Sequence, residues 1–163
     1  MKDERYNVFV ISSEGVNLDG VSSIEYSYDW GMMPEGEYEL TWALSSQNKV
    51  STLAQAIVHD CVALQFVGLN AYTSQTANSV ISGTNTSSQI IGLIEIGSQY
   101  HYTDTDKFGV INLVESRNNP PIRVRSVPQG KFIINLLKSD GTLALASSVD
   151  EYVLSLGFRR LEC

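Results

Sequence analysis

Histidine, like cysteine, is scarce here. The 163 residues contain two, His59 and His101, so any metal or acid-base site built on imidazole is quickly enumerated. His59, Asp60 and Cys61 are three ligand types in a row, but consecutive strand residues point to opposite faces and do not converge on one ion without a bulge. His101 with Asp104 and Asp106 is the better cluster, since a loop brings both carboxylates toward one cation. It lacks the run of oxygen ligands of a calcium loop and reads first as a solvated turn. Glu35, Glu37 and Glu39 are spaced to flank a sugar ring, yet on an alternating strand such a row is the wet side of a sheet. The chain has no G-x-S-x-G elbow, no G-x-x-x-x-G-K and no G-x-G-x-x-G, and neither cysteine stands in a catalytic signature. The expectation is a protein without catalytic residues, metal or cofactor.

Aromatic residues offer a different chemistry, the flat platform on which sugars stack. Trp30, Tyr100 and Tyr102 are the candidates, with Tyr100 and Tyr102 the weak ligand-stacking pair. Trp30 stands beside Gly31-Met32-Met33-Pro34, an apolar corner expected on the surface, and exposed apolar clusters mark contacts with another chain. Trp30, Met32 and Met33 are therefore assigned first to a subunit contact.

Charge narrows the partners. A formal net charge of -7, from 18 acidic against 11 basic residues, repels a phosphate backbone. Arg123 with Arg125, and Arg159 with Arg160, read as solvated faces, so direct nucleic-acid binding is not expected. With 43% apolar and 18% charged residues, the chain is too hydrophobic for disorder and too interrupted for a membrane span. Its opening, MKDERYNVFV, lacks the apolar core of a secretory signal, which predicts synthesis in a cytosol. Cys61 and Cys163 make no disulfide framework, and Cys61 reads as a small buried hydrophobe.

The elements that would position these residues are almost all strands. Tyr38, Leu40, Trp42 and Leu44 alternate with Glu37, Glu39, Thr41 and Ala43, the period of a half-buried strand with Trp42 in the core. Tyr6, Val8 and Val10 alternate with Asn7, Phe9 and Ile11, and Ile24, Tyr26, Tyr28 and Trp30 with Glu25, Ser27 and Asp29. Apolar runs at 61–69 and 89–97 predict strands in a packed sheet pair, and further strands are expected near 100–103, 109–115, 122–127, 131–138 and 151–159. Asp140-Gly141 predicts a two-residue primed hairpin turn. The one helical pattern lies at 49–60. Strands without intervening helices, joined by a mixture of short hairpins and long crossings, predict an all-β antiparallel β-sandwich: a single jelly roll of two Greek keys with at most one short helix. Residues 1–32 are expected as a strand-like arm or edge segment and 33–163 as the sandwich, within one domain.

The stretches MPEGEYELTWALSS, VPQGKFIINLLKSDGTL and DEYVLSLGFRRLE together resemble the single jelly-roll minor capsid, penton-like proteins of large double-stranded DNA viruses and their virophage-like relatives. The closing strand carries most of the resemblance through Tyr152, Leu154, Leu156 and Phe158. The resemblance implies a virion structural protein, made in the host cytoplasm, that assembles with other capsid proteins as a homo-oligomer, pentamer or trimer. It also implies an N-terminal strand, with Tyr6, Val8 and Val10, that reaches a neighbouring subunit. A chain lacking 1–20 would then fold but assemble poorly. The alternative is a ligand-binding β-sandwich, either a carbohydrate-binding module or a trimeric fibre head.

Overall fold

The computed structural model describes residues 4–20, 22–47, 63–71, 90–94, 111–115, 121–138, 140–143 and 151–161. The strands are β1 (Arg5–Ile11), β2 (Val16–Asn17), β3 (Ser23–Ser27), β4 (Glu37–Gln47), β5 (Ala63–Val67), β6 (Asn70–Ala71), β7 (Ile90–Leu93), β8 (Ile111–Glu115), β9 (Ile122–Ser126), β10 (Lys131–Leu137) and β11 (Tyr152–Leu161). Among the described residues there is no α-helix, only the 3-10 turns Ser12–Glu14 and Trp30–Met32. The helical pattern at 49–60 lies outside the described residues.

All strand pairs are antiparallel. One sheet runs β1-β11-β4-β9-β6, with β8 also on β4, and the other runs β2-β3-β10-β5-β7. Because β8 pairs Ala43 to Gln47 and β9 pairs Tyr38 to Leu40, β8 and β9 follow one another along the same edge of β4 as an interrupted strand. Setting aside the two-residue strands β2 and β6, the order is β1-β11-β4-(β8, β9) against β3-β10-β5-β7. With β8 and β9 counted as one strand, every connection in this set crosses between the sheets except the step from β5 to its neighbour β7, and that is the jelly roll.

The alternation read in the sequence becomes the core. Tyr38, Leu40, Trp42 and Leu44 of β4 are buried, as are Tyr152, Leu154, Leu156 and Phe158 of β11. Register places Leu154 opposite Leu44, Leu156 opposite Trp42 and Phe158 opposite Leu40, so the two strands present one continuous apolar face. From the facing sheet, Phe66 stacks on Phe132 with ring centroids 4.8 Å apart, and Phe132 also stacks on Tyr26 at 5.4 Å. The hydroxyls of Tyr26 on β3 and Tyr152 on β11 meet at 3.3 Å across the interior.

A bulge shapes the far side of the core. Leu64 pairs Gly92 and Gln65 pairs Ile90, leaving Ile91 as an extra residue, and both Ile91 and Gly92 are buried. Trp42 Nε1 donates to the Ile91 carbonyl at 3.1 Å, bridging the two sheets. The indole lies where a Cβ on Gly92 would stand, 2.7 Å from Nε1 and in overlap with Cζ2.

Residues 5–27, within the stretch expected as a strand-like arm or edge segment, supply β1, β2 and β3, and β1, at the end of its sheet, lies against β11 over its whole length with Val8 and Val10 in the core. The hairpin after β10 is not a two-residue primed turn. Gly141 is at φ +80 while Asp140, like every other described non-glycine residue, is not at positive φ, the Gly141 N–H donates to Lys138 O at 3.0 Å, and Lys138 N–H donates to Thr142 O at 2.8 Å. That is a three-residue loop closed by glycine, the bulged alternative for this connection. Asp140 still serves the turn, accepting from the Thr142 N–H at 2.9 Å and its hydroxyl at 2.6 Å. These two bonds hold the exposed carboxyl below its usual pKa.

Candidate functional site

An open cleft of about 590 Å³ lies between the β3–β4 connection and the β9–β10 connection. β3 ends at Ser27, and the chain then bends because Asp29 accepts from the Gly31 N–H at 3.0 Å, setting the 3-10 turn at Trp30. Trp30 drops into the core beneath the cleft, only 5% exposed. It sits edge-on to Phe132 at 5.5 Å and to Phe158 at 5.8 Å, and its Nε1 donates to Gly130 O at 3.0 Å. That bond fastens one wall of the cleft to the other.

The rim is also tied down. Tyr38 donates its hydroxyl to Pro34 O, and Arg160 donates to Glu35 O at 3.0 Å and to the Glu4 carboxylate at 3.2 Å. Burial, reinforced by Tyr6 and Glu4 and opposed by Arg160, raises the Tyr38 phenol above its ordinary pKa. It is therefore a neutral donor at physiological pH. Tyr28 remains 37% exposed at the mouth, edge-on to Trp30 at 4.8 Å, and Glu35, Arg125 and Gln129 complete the polar lining. An aromatic edge beside a few hydrogen-bonding groups is the composition of a binding cleft.

The expected site residues separate. Of the subunit-contact set, Val8, Val10, Trp30 and Met33 are buried inside this chain, Tyr6 is half-buried against the core, and Met32 stands 76% exposed. The first four are thereby occupied by intrachain packing rather than left as a surface. Tyr100, Tyr102, His59, His101, Asp104, Asp106 and both cysteines lie outside the described residues. Among the described residues, no three His, Cys, Asp or Glu side chains gather as a metal site. No described helix is long and apolar enough to cross a membrane.

Glu37 and Glu39 do share the outer face of β4, held by arginines. Arg159 reaches Glu39 at 2.9 Å, and Arg123 reaches Glu37 through Nε at 2.9 Å and through Nη2. This is a cross-strand ladder on a solvated face.

β1 carries a second surface feature: the face opposite Val8 and Val10, which begins with the polar Arg5 and Asn7, leaves Phe9 67% and Ile11 42% exposed. The signal was present in the sequence as an apolar run on both phases from Val8 to Ile11. No protein-family model matches the chain, and no curated protein or solved structure is found similar to it.

Proposed function

We propose that this chain is a non-enzymatic virion structural protein, a single jelly-roll subunit that serves an icosahedral shell as a vertex or minor capsid protein. The observation that carries the reading is the strand order, β1-β11-β4-(β8, β9) over β3-β10-β5-β7, completed by the closing strand Tyr152 to Leu161 whose residues suggested the family. The reading is supported by exposed apolar side chains on separate surfaces, Phe9 and Ile11 on the sheet and Met32 on the β3–β4 turn, since a shell subunit meets neighbours on several sides. The acidic balance of the chain suits a layer that meets other proteins rather than packaged genome.

Sedimentation of the purified protein across a concentration series, alone and with co-expressed shell proteins, tests the reading. A pentamer, or assembly that requires such partners, is the expected result. A chain that enters no assembly under either condition refutes it.

The cleft favours a second reading, a ligand-binding β-sandwich, because Tyr28 is exposed at its mouth beside Glu35, Arg125 and Gln129. Glycan binding by a monomer, lost in Tyr28→Ala, would select a carbohydrate-binding module. A stable trimer with receptor-directed loop ends would select a fibre head.

A further inference from the structure

We infer that the outer edge of β1 pairs with the same edge of a second copy of this chain, extending the sheet across a twofold axis. The hydrogen-bond phase of β1 follows from one contact. Arg160 donates its N–H to Glu4 O at 3.0 Å, and Arg5 stands opposite Arg159. Glu4, Tyr6, Val8 and Val10 therefore aim their backbone groups at β11. Alternate residues of an antiparallel strand turn theirs the opposite way, so the N–H and C=O groups of Asn7, Phe9 and Ile11 leave the sheet at its rim. β1 ends the strand order on that side, and no described residue pairs with them.

This rim lacks the usual protection. From Tyr6 to Ser13 there is no charged residue, proline or glycine, the features by which an edge strand avoids pairing. The same strand carries Phe9 and Ile11, exposed by 67% and 42%, and Val153, opposite Ile11 in register, is exposed by 41%. Open backbone groups and uncovered apolar side chains thus coincide on one strand.

The occupant is a second copy because the strip is complementary to itself. Outward-directed residues pair only with outward-directed residues, and a twofold register centred on Phe9 sets Phe9 opposite its twin and Asn7 opposite Ile11 of the copy. Cα atoms in such hydrogen-bonded pairs are about 5.5 Å apart. The register joins Phe9, Ile11 and Val153 of both copies into one apolar strip. Although the chain carries a net charge of -7, this stretch is neutral, and the nearest flanking acid on its N-terminal side, Glu4, is already held by Arg160. Like can therefore approach like. The contact is isologous and does not depend on the shell reading, since it forms whether or not the chain belongs to a capsid.

Sedimentation velocity on the full chain, with Phe9→Lys and Asn7→Pro beside the wild type, tests this contact. Phe9→Lys places like charges opposite one another, while Asn7→Pro removes an outward N–H and leaves the β1–β11 ladder intact. Each is expected to raise the dimer Kd by at least about tenfold, with the thermal midpoint unchanged when it is read at a dilution where the wild type is monomeric. Should Asn7→Pro fail to fold, Phe9→Lys decides alone, because the Phe9 side chain supports no core contact. Hydrogen exchange supplies the second readout: the amides of Asn7, Phe9 and Ile11 gain protection as the dimer forms. A wild type that stays monomeric to submillimolar concentration, a dimer that neither variant weakens, or a dimer in which those amides gain no protection overturns the inference.

Discussion

Replacing Gly92 by alanine tests the junction on which the two sheets are locked. A Cβ at this position would overlap Trp42 Cζ2 and stand 2.7 Å from Nε1 and 2.8 Å from Cε2. The indole has little freedom to retreat, because Nε1 is bonded to Ile91 O at 3.1 Å and β4 is held in register by ten paired residues of β11. Overpacking of this kind costs about 1–3 kcal/mol. Trp42→Phe alone orphans the Ile91 carbonyl and costs about 1–3 kcal/mol, but it also clears the space that the new methyl needs. The double variant is then expected to lose less than the sum of the two, with a coupling of about 0.5–3 kcal/mol. Urea unfolding followed by tryptophan fluorescence and far-UV circular dichroism reads all four corners of the cycle. A Gly92→Ala protein within about 0.5 kcal/mol of the wild type, or strictly additive losses, would refute the argument that the indole and the bulge are in contact.

Burial raises the Tyr26 phenol above its ordinary pKa, and its bond to Tyr152 lowers it in part. A raised folded-state pKa means that stability is intact below the unfolded value of about 10 and falls as pH rises through the folded one. Denaturant midpoints measured from neutral to alkaline pH should fall in that window, and less so in Tyr26→Phe. Gly141→Ala forces a side chain into the φ +80 position of the β10 hairpin and is expected to cost about 1–2 kcal/mol by thermal or urea melting. Deleting 1–20 strips the whole of β1 from β11 and uncovers the core at Val8 and Val10. The truncated chain should lose its cooperative unfolding transition rather than fold and merely fail to assemble, and circular dichroism during heating would distinguish the two.

The inward face of each long strand was legible because it depends on neighbours in sequence. Tyr38 to Leu44 and Tyr152 to Phe158 are buried in the phase that their alternation sets. The jelly-roll class was legible for the same reason, from many strands and few helices. Trp30 was not. Its neighbours Met32, Met33 and Pro34 suggested an exposed corner, but the turn capped by Asp29 swings the ring inward, and its N–H finds a partner in Gly130, 100 residues away. Met33 is buried as well, while Met32 and Pro34 keep the exposed position. Gly92 and Ile91 were equally opaque, since a bulge is specified by what the facing sheet places against it, here the indole of Trp42. Local pattern determined which residues point inward and that the chain would form strands, because side-chain direction follows from the two-residue period of the backbone. Tertiary pairing alone decided which strands are neighbours, which residues wall the cleft and that β1 ends a sheet, its outward backbone groups unpaired among the described residues, because these depend on contacts distant in sequence.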